Sequence, residues 1–371
     1  MKNVLVYRAD LLHYSETFIK EQLLSYSGWA PTLIGERIVH GIPLDGIKVR
    51  LVGSSRLRKF GIPFPAVSRL KSEAATLLHV HFGIDAVTFW PIAKRLDIPV
   101  VITLHGYDIN IYREHWQQLD FVRNYPDRLL TISRRPNVYF VAVSAAIRQR
   151  AIEFGIPADR IVVRYVGIDP SRFSFSGKPI HERRRRVLFV GRFVEKKGGE
   201  ILIKAYARVR ASVPDAELVM VGDGQLTQRL KELAQQLNVP VEFTGRLPST
   251  EVKKQMDEAR VFCLPSLVAA NGDAEGMGMV ILEAQACGVP VVTSARGGAT
   301  EGINEGVTGL AFAEGDIVAL SEHLISLLTD DARAKSMSRS APNFIAGKFD
   351  IHQCTRLLED FYEEITQEQK G

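Results

Sequence analysis

Val261-Phe-Cys-Leu-Pro-Ser266 and then Asn271-Gly-Asp-Ala-Glu-Gly-Met-Gly-Met-Val-Ile-Leu-Glu-Ala-Gln-Ala-Cys-Gly-Val-Pro-Val-Val292 read as strand, loop, helix and strand. The apolar run before Pro265 has the length of a buried strand. Gly276 and Gly278 make the loop permissive. Met279 to Ala286 can form a helix, which Gly288 and Pro290 stop. That order predicts a parallel βαβ unit.

The helix of such a unit begins at the carboxyl end of a strand, so its free N–H groups and positive dipole end face the crevice where ligands bind. An anion is the natural guest. With no side chains on Gly276 and Gly278, a diphosphate can approach the amides near Met279 and Val280, with Met277 between the two glycines. Glu283 lies four residues on, about 6 Å along the axis, and can accept hydrogen bonds from a ribose. Glu275, just before the helix, can do the same for hydroxyls on the other side of the phosphates. The spacing of the two glutamates means little alone, and the strand, glycine loop and helix start around them carry the inference.

The rest of the second half repeats the theme. Val187-Leu-Phe-Val190 delivers Gly191, Arg192 and Lys197 directly after a strand. Arg192 can fork onto two phosphate oxygens, and Lys197 is a compact point charge. Glu217-Leu-Val-Met-Val221 ends in Gly222 and Gly224, and Val241-Glu-Phe-Thr244 ends in Gly245 and Arg246. Each strand brings a glycine to the same end. Glu301, on the loop after the last of these helices, either lines the site or serves structure.

The first half is a separate βα series. Val4 to Tyr7 is a strand, and Ser15-Glu-Thr-Phe18 opens a helix, with Ser15 as N-cap and Glu16 and Thr17 in its first turn. Val100-Val-Ile-Thr-Leu104 runs into His105-Gly-Tyr-Asp108, so His105, Tyr107 and Asp108 sit where a strand ends, with the His105 ring aimed at the crevice. His79 and His81 alternate on a strand without an evident third metal ligand, and His81 is read as shaping the loop. Ser144 caps a helix through Phe154.

At 371 residues the chain is too long for one core. We expect a first domain over 1–173, a polar connector over 174–186, a second domain over 187–348, and an amphipathic helix over 349–371, with Leu357, Leu358, Phe361 and Ile365 apolar, returning to the first domain. Arg183 to Arg186 read as a solvated charge run in the connector. The net charge of +5 is modest for a nucleic-acid binder, and none is expected as a partner. Basic and apolar residues interleave around Arg56, Arg58 and Lys59, which suits an anionic membrane surface as well as a plain solvated loop. Cys263, Cys287 and Cys354 lack metal-ligand spacing and read as packed thiols of a reducing compartment. No apolar run approaches a bilayer span and the start is too quickly polar for a signal peptide, so a cytoplasmic location, with peripheral membrane contact at most, is expected.

With these residues together, the chain resembles the retaining glycosyltransferases of family 4, which have the α/β GT-B fold. Gly191-Arg192 with Lys197, Gly222-Asp-Gly224, Phe243-Thr-Gly245, Pro265-Ser266 and the segment from Glu275 to Glu283 occur in family order, and His105-Gly-Tyr-Asp108, Val143-Ser144 and Gly167-Ile-Asp169 match in the first half. Ser15-Glu-Thr-Phe18 is similar to exopolysaccharide-type members, and the glycine-rich first loop of the glycogen synthases is missing. The resemblance implies two Rossmann-like domains facing a central cleft. It implies that Arg192 and Lys197 neutralise the diphosphate of a nucleotide sugar, Glu283 holds its ribose, Glu275 binds sugar hydroxyls and His105 contacts the sugar near the scissile bond. Ser15, Glu16, Thr17, Tyr107 and Asp108 are candidates for the acceptor side, the acceptor being a glycan or a polyprenyl-linked saccharide.

No Asp-x-Asp pair is placed to hold a divalent ion, and two cations already suit the leaving group, so neither metal nor cofactor is expected. Two rivals stand beside transfer: a nucleotide-sugar epimerase of the same fold, and a non-catalytic sugar-nucleotide-binding protein. Turnover of donor without acceptor separates the first.

Overall fold

The computed structural model describes residues 1–39, 41–53, 64–120 and 122–368. The chain divides into two compact units, Met1–Gly167 together with the chain from Ile351 onward, and Ile168–Asp350. Arg56, Arg58 and Lys59 lie outside the described residues.

The first unit contains β1 (Lys2–Tyr7), β2 (Asp10–Leu11), β3 (Trp29–Gly35), β4 (Arg37–Ile38), β5 (Val49–Leu51), β6 (Ala75–His81), β7 (Val100–Leu104), β8 (Val138–Ala142) and β9 (Ile161–Val163). Seven of them form a parallel sheet in the order β5-β3-β1-β6-β7-β8-β9. Its central strands are nearly continuous Val, Ile and Leu because helices cover both faces. The strand order reverses between β1 and β6, which makes their carboxyl ends the ligand-binding edge of such a sheet. Ser144 caps the helix Ala145–Phe154, its Oγ accepting the Ile147 N–H at 3.2 Å, and Gly155 closes that helix in the left-handed region at φ 109°.

The helix Ile351–Glu368 packs on this unit through Cys354, Leu358, Phe361, Tyr362 and Ile365, a three-and-four spacing that places them on one face. Leu357 does not join them. It is 48 % exposed, because one step along a helix turns a side chain about 100° away from its neighbour. Glu359 fixes the helix by accepting the N–H groups of Ser27, Gly28 and Trp29, each at 2.9 Å, and the Ser27 hydroxyl at 3.0 Å.

The second unit holds β10 (Arg184–Val190), β11 (Glu217–Val221), β12 (Glu242–Gly245), β13 (Ala259–Leu264), β14 (Val291–Ser294) and β15 (Gly309–Phe312), all parallel, in the order β12-β11-β10-β13-β14-β15. The strand, helix and strand expected from Val261 onward are β13, the helix Met279–Ala286 and β14. The order reverses between β10 and β13.

The expected connector over 174–186 is part of this unit, and its arginines are not a solvated run. Arg183 is buried, donating to the carbonyls of Met256 and Ala259 at 3.3 Å and of Cys287 at 3.1 Å. Those carbonyls lie where two helices end, and a planar guanidinium reaches all three. Arg184 starts β10, and buried Arg186 holds Glu217 at 2.8 Å and Gln255 at 2.7 Å. Only Arg184 and Arg185 face water. Cys263, Cys287 and Cys354 are buried and unbridged. Among the described residues no helix is long and apolar enough to cross a membrane.

Candidate functional site

In the second unit the strand ends are stitched into a shared edge. The Gly191 N–H reaches the Val221 carbonyl at 3.0 Å, and the Gly222 N–H reaches the Gly245 carbonyl at 2.9 Å. Gly222 lies at φ 138°, and a Cβ there would fall 1.9 Å from the Gly191 carbonyl oxygen, so no other residue fits. Past Gly191 the chain passes exposed Arg192 and buried Phe193, makes one tight turn over Glu195–Lys197, and enters the helix Gly199–Ser212.

That turn is tied to the loop after β13. The Lys196 carbonyl accepts the Leu267 N–H at 2.9 Å, the Glu195 carboxylate accepts the Ala270 N–H at 3.1 Å, and Lys196 Nζ meets Asp273 at 2.9 Å. Lys197 Nζ bonds the carboxylate of Glu275. Lys196 and Asp273 escaped the sequence reading because a lysine beside another lysine looks solvated, whereas here it is 9 % exposed.

Gly278, at φ 75°, turns the chain into the helix Met279–Ala286, and no side chain caps that helix start. The helix dipole and the first amides therefore face the ground that Glu275 and Lys197 occupy. Burial alone would raise the Glu275 carboxyl, but Lys197, Lys196 and Arg192 outweigh it and hold it at about 2. Glu275 is thus an acceptor at any ordinary pH. Glu283 has the opposite setting: burial pushes it up to about 7, offset in part by Arg172. Arg172, absent from the sequence reading, donates to Ser249 Oγ at 2.9 Å. Arg246 is largely exposed, 3.8 Å from Asp223. Met277 is buried, so its backbone and not its side chain is available. Gly191, Arg192 and Lys197 follow the carboxyl end of β10, Glu275, Gly276 and Gly278 lie on the loop that follows β13, and Met279, Val280 and Glu283 lie in the helix that this loop enters.

The first unit presents its own cluster at the ends of β1, β6 and β7. Ser15 does not cap: the helix starts at Thr17, residue 16 occupies the cap position, and no side-chain cap bond forms. Glu16 is turned inward instead, its carboxylate accepting from Arg8 Nη2 at 2.9 Å and from the His13 N–H at 3.0 Å, while Ser15 is exposed. Arg8 also donates to Asp85 at 2.6 Å, and Asp85 accepts the Ala9 N–H at 2.7 Å. Burial works against the Arg8 cation, but Asp85 and Glu16 prevail and keep it charged. This half-buried cation with two carboxylates was not foreseen, since Arg8 and Asp85 lie far apart in sequence.

Asp108 is also not on an acceptor-facing surface. It is fully buried, and its carboxylate accepts the N–H groups of Gly83 at 3.0 Å, Gly106 at 2.9 Å and His105 at 3.1 Å. Burial raises it to about 6, against the pull of those amides. Its work is to shape the turn that carries His105. Tyr107 is 39 % exposed, its ring edge-on to Trp116. The His105 ring, partly exposed, lies against Phe18 and Phe82, and its Nε2 is 3.0 Å from His81 Nδ1. His81 is therefore a buried partner of His105 and not a former of the loop. Among the described residues no three or more His, Cys, Asp or Glu are grouped to hold a metal ion.

Known proteins share this plan. Residues 24–172 match the family model described as Glycosyltransferase Family 4, and residues 171–344 match that described as Glycosyl transferases group 1. The amylovoran biosynthesis glycosyltransferase AmsK of Erwinia amylovora is 31% identical over 311 residues, 83% of this chain and 74% of that protein. The chain belongs to the family 4 glycosyltransferases. A GDP-mannose-dependent monoacylated alpha-(1-6)-phosphatidylinositol monomannoside mannosyltransferase of Corynebacterium glutamicum is 42% identical over 147 residues, 39% of this chain and 38% of that protein. Among solved structures, Anabaena HepE in complex with UDP-glucose superposes with a TM-score of 0.80 at 20% identity, over 98% of this chain and 100% of that one. At that identity the likeness bears on the fold, which for this family 4 glycosyltransferase is GT-B, with a Rossmann-like sheet in each unit.

Proposed function

We propose that this family 4 glycosyltransferase moves a sugar from a nucleotide diphosphate donor to a glycan or polyprenyl-linked saccharide, with retention at the anomeric carbon, in the building of a surface polysaccharide. The observation that carries the donor is the Lys197–Glu275 pair beside Arg192 and the uncapped helix start at Met279. Two cations and a helix start beside Glu275 suit a diphosphate, and the ammonium has three donors, so it can keep Glu275 while gaining a phosphate oxygen. The exopolysaccharide role of AmsK and the UDP-glucose bound by HepE support the substrate class.

In this reading the bond between the anomeric carbon and the diphosphate oxygen breaks while the acceptor oxygen bonds to the same face of the sugar. The acceptor proton passes to a phosphate oxygen of the leaving group. Negative charge grows on the diphosphate, and Arg192, Lys197 and the helix amides stabilise it in place of a metal ion. Glu275 accepts hydrogen bonds from sugar hydroxyls and Glu283 from the ribose, and His105 is assigned to the transferred sugar on the family resemblance alone. Contact with an anionic membrane through Arg56, Arg58 and Lys59 is likewise proposed from sequence.

The test is incubation with a panel of nucleotide sugars and a polyprenyl-linked saccharide, with and without chelator, following the anomeric proton of the product by NMR at early times. Retained configuration and chelator-resistant transfer are expected. An inverted product, a metal-rescuable loss, or donor turnover without any acceptor would each overturn a named part of the proposal.

A further inference from the structure

The ring of His81 is buried, with Nδ1 on His105 Nε2 at 3.0 Å and Nε2 meeting no hydrogen-bond partner. Burial, with His79, His105 and Arg8 around it, holds His81 far below its ordinary value, so it is neutral and carries one ring hydrogen. Two placements are open to that hydrogen. On Nε2 it would be a buried donor facing nothing, the kind of orphan that folded proteins almost never keep. On Nδ1 it is satisfied by His105 Nε2, and only a lone pair goes unmet.

His105 is neutral too, since burial takes it down to about 3 with His79 and Arg8 adding to the effect. If its Nε2 receives a hydrogen bond, its own hydrogen must sit on Nδ1. No group of the described residues bonds that Nδ1. The backbone cannot swing to offer an alternative, because the His105 N–H is itself held by Asp108. Behind His81 a second buried histidine is locked as well: His79 lies 4.6 Å away ring to ring, with Nε2 on Thr103 Oγ1 at 2.6 Å and Nδ1 on the hydroxyl of Tyr362.

We infer that His81 is a positioning residue that fixes His105 as the Nδ1–H tautomer, so that His105 meets its ligand as a hydrogen-bond donor and not as a base. The ligand atom it takes is an acceptor, a hydroxyl or phosphate oxygen, and it gains no proton from the acceptor substrate. The identity of that ligand as a nucleotide sugar rests on the function proposed above, while the tautomer itself does not.

Long-range proton–nitrogen NMR of the full chain with labelled histidine, assigned by the His105→Gln spectrum, reads the tautomer in the absence of substrate. The expected result is a protonated Nδ1 and a bare Nε2 on His105 in the wild type. A protonated Nε2 would overturn the inference whether or not the chain transfers sugar. In His81→Leu the His105 hydrogen should redistribute toward Nε2 and kcat should fall by about tenfold or more with KM for the donor moving less. His81→Asn, whose amide nitrogen stands near the position of Nδ1, should recover most of that loss. An unchanged His105 tautomer in His81→Leu would also overturn it.

Discussion

The ammonium of Lys197 is bonded to the carboxylate of Glu275 although their strands are separated in sequence by two others. The two meet because β10 and β13 are neighbours at the point where the sheet order reverses, so the loops leaving them run on opposite sides and open a gap. Lys197→Ala should cut turnover by about a hundredfold, the scale seen when a fixed charge stabiliser is removed. Steady-state rates with the identified donor check this, and a wild-type rate would take Lys197 out of the mechanism.

Glu283 should leave a signature in stability against pH. Its folded value of about 7 lies above the ordinary 4.5, so the folded chain holds that proton more tightly than the unfolded one. The associated stability is complete below about 4.5 and drains away as pH rises through 7. Glu275, held at about 2, works the other way: its contribution is present above 4.5 and is lost only as pH falls toward 2. In Glu283→Gln the first dependence disappears. Calorimetry should find Tm values that match below pH 4.5 and separate in favour of the variant by pH 8.

Arg183 should matter far more than its neighbour Arg185. Truncating Arg183 to Ala takes a buried donor from the carbonyls of Met256, Ala259 and Cys287 and should destabilise by about 2 kcal/mol or more. Arg185→Ala breaks only an exposed pair with Asp215 and should cost less than about 1 kcal/mol. Urea denaturation of both variants decides the matter, with equal effects counting against the buried role.

Glu359 holds down the helix Ile351–Glu368, so Glu359→Ala should loosen that helix before anything else. Three N–H groups lose a charged acceptor at once, a loss of about 2 kcal/mol or more. Hydrogen exchange should speed up first in that helix and in β3. Uniform acceleration over the whole chain would contradict it.

Sequence alone made the βαβ unit around Gly276 legible, because glycine, proline and apolar runs act locally and leave their mark within a few residues. It also placed Arg192, Lys197 and Glu275 beyond strand ends and Glu283 within the helix that starts at Met279. What it missed depends on partners distant in sequence. Lys196, Arg183 and Arg186 carry the same charge whether solvated or buried, and only their packing against Asp273, Glu217 and three carbonyls tells the difference. Asp108 read as an open acid because nothing nearby announces that Gly83 will point an N–H at it. Ser15 failed as a cap because Arg8 draws Glu16 inward and shifts the helix start. His81 could have been suspected from its strand position, since the alternation that buried His79 left it at the same edge as His105.

The unit that holds His105 is assembled from two stretches of chain, with all of 168–350 inserted between them. During synthesis the inserted unit has every strand it needs as soon as it leaves the ribosome. The other must wait with the flank of its sheet uncovered until Leu358, Phe361 and Tyr362 arrive. The half of the molecule made first is therefore the half completed last, and chains that terminate before residue 351 would expose Trp29 and Leu33 to whatever chaperone is at hand.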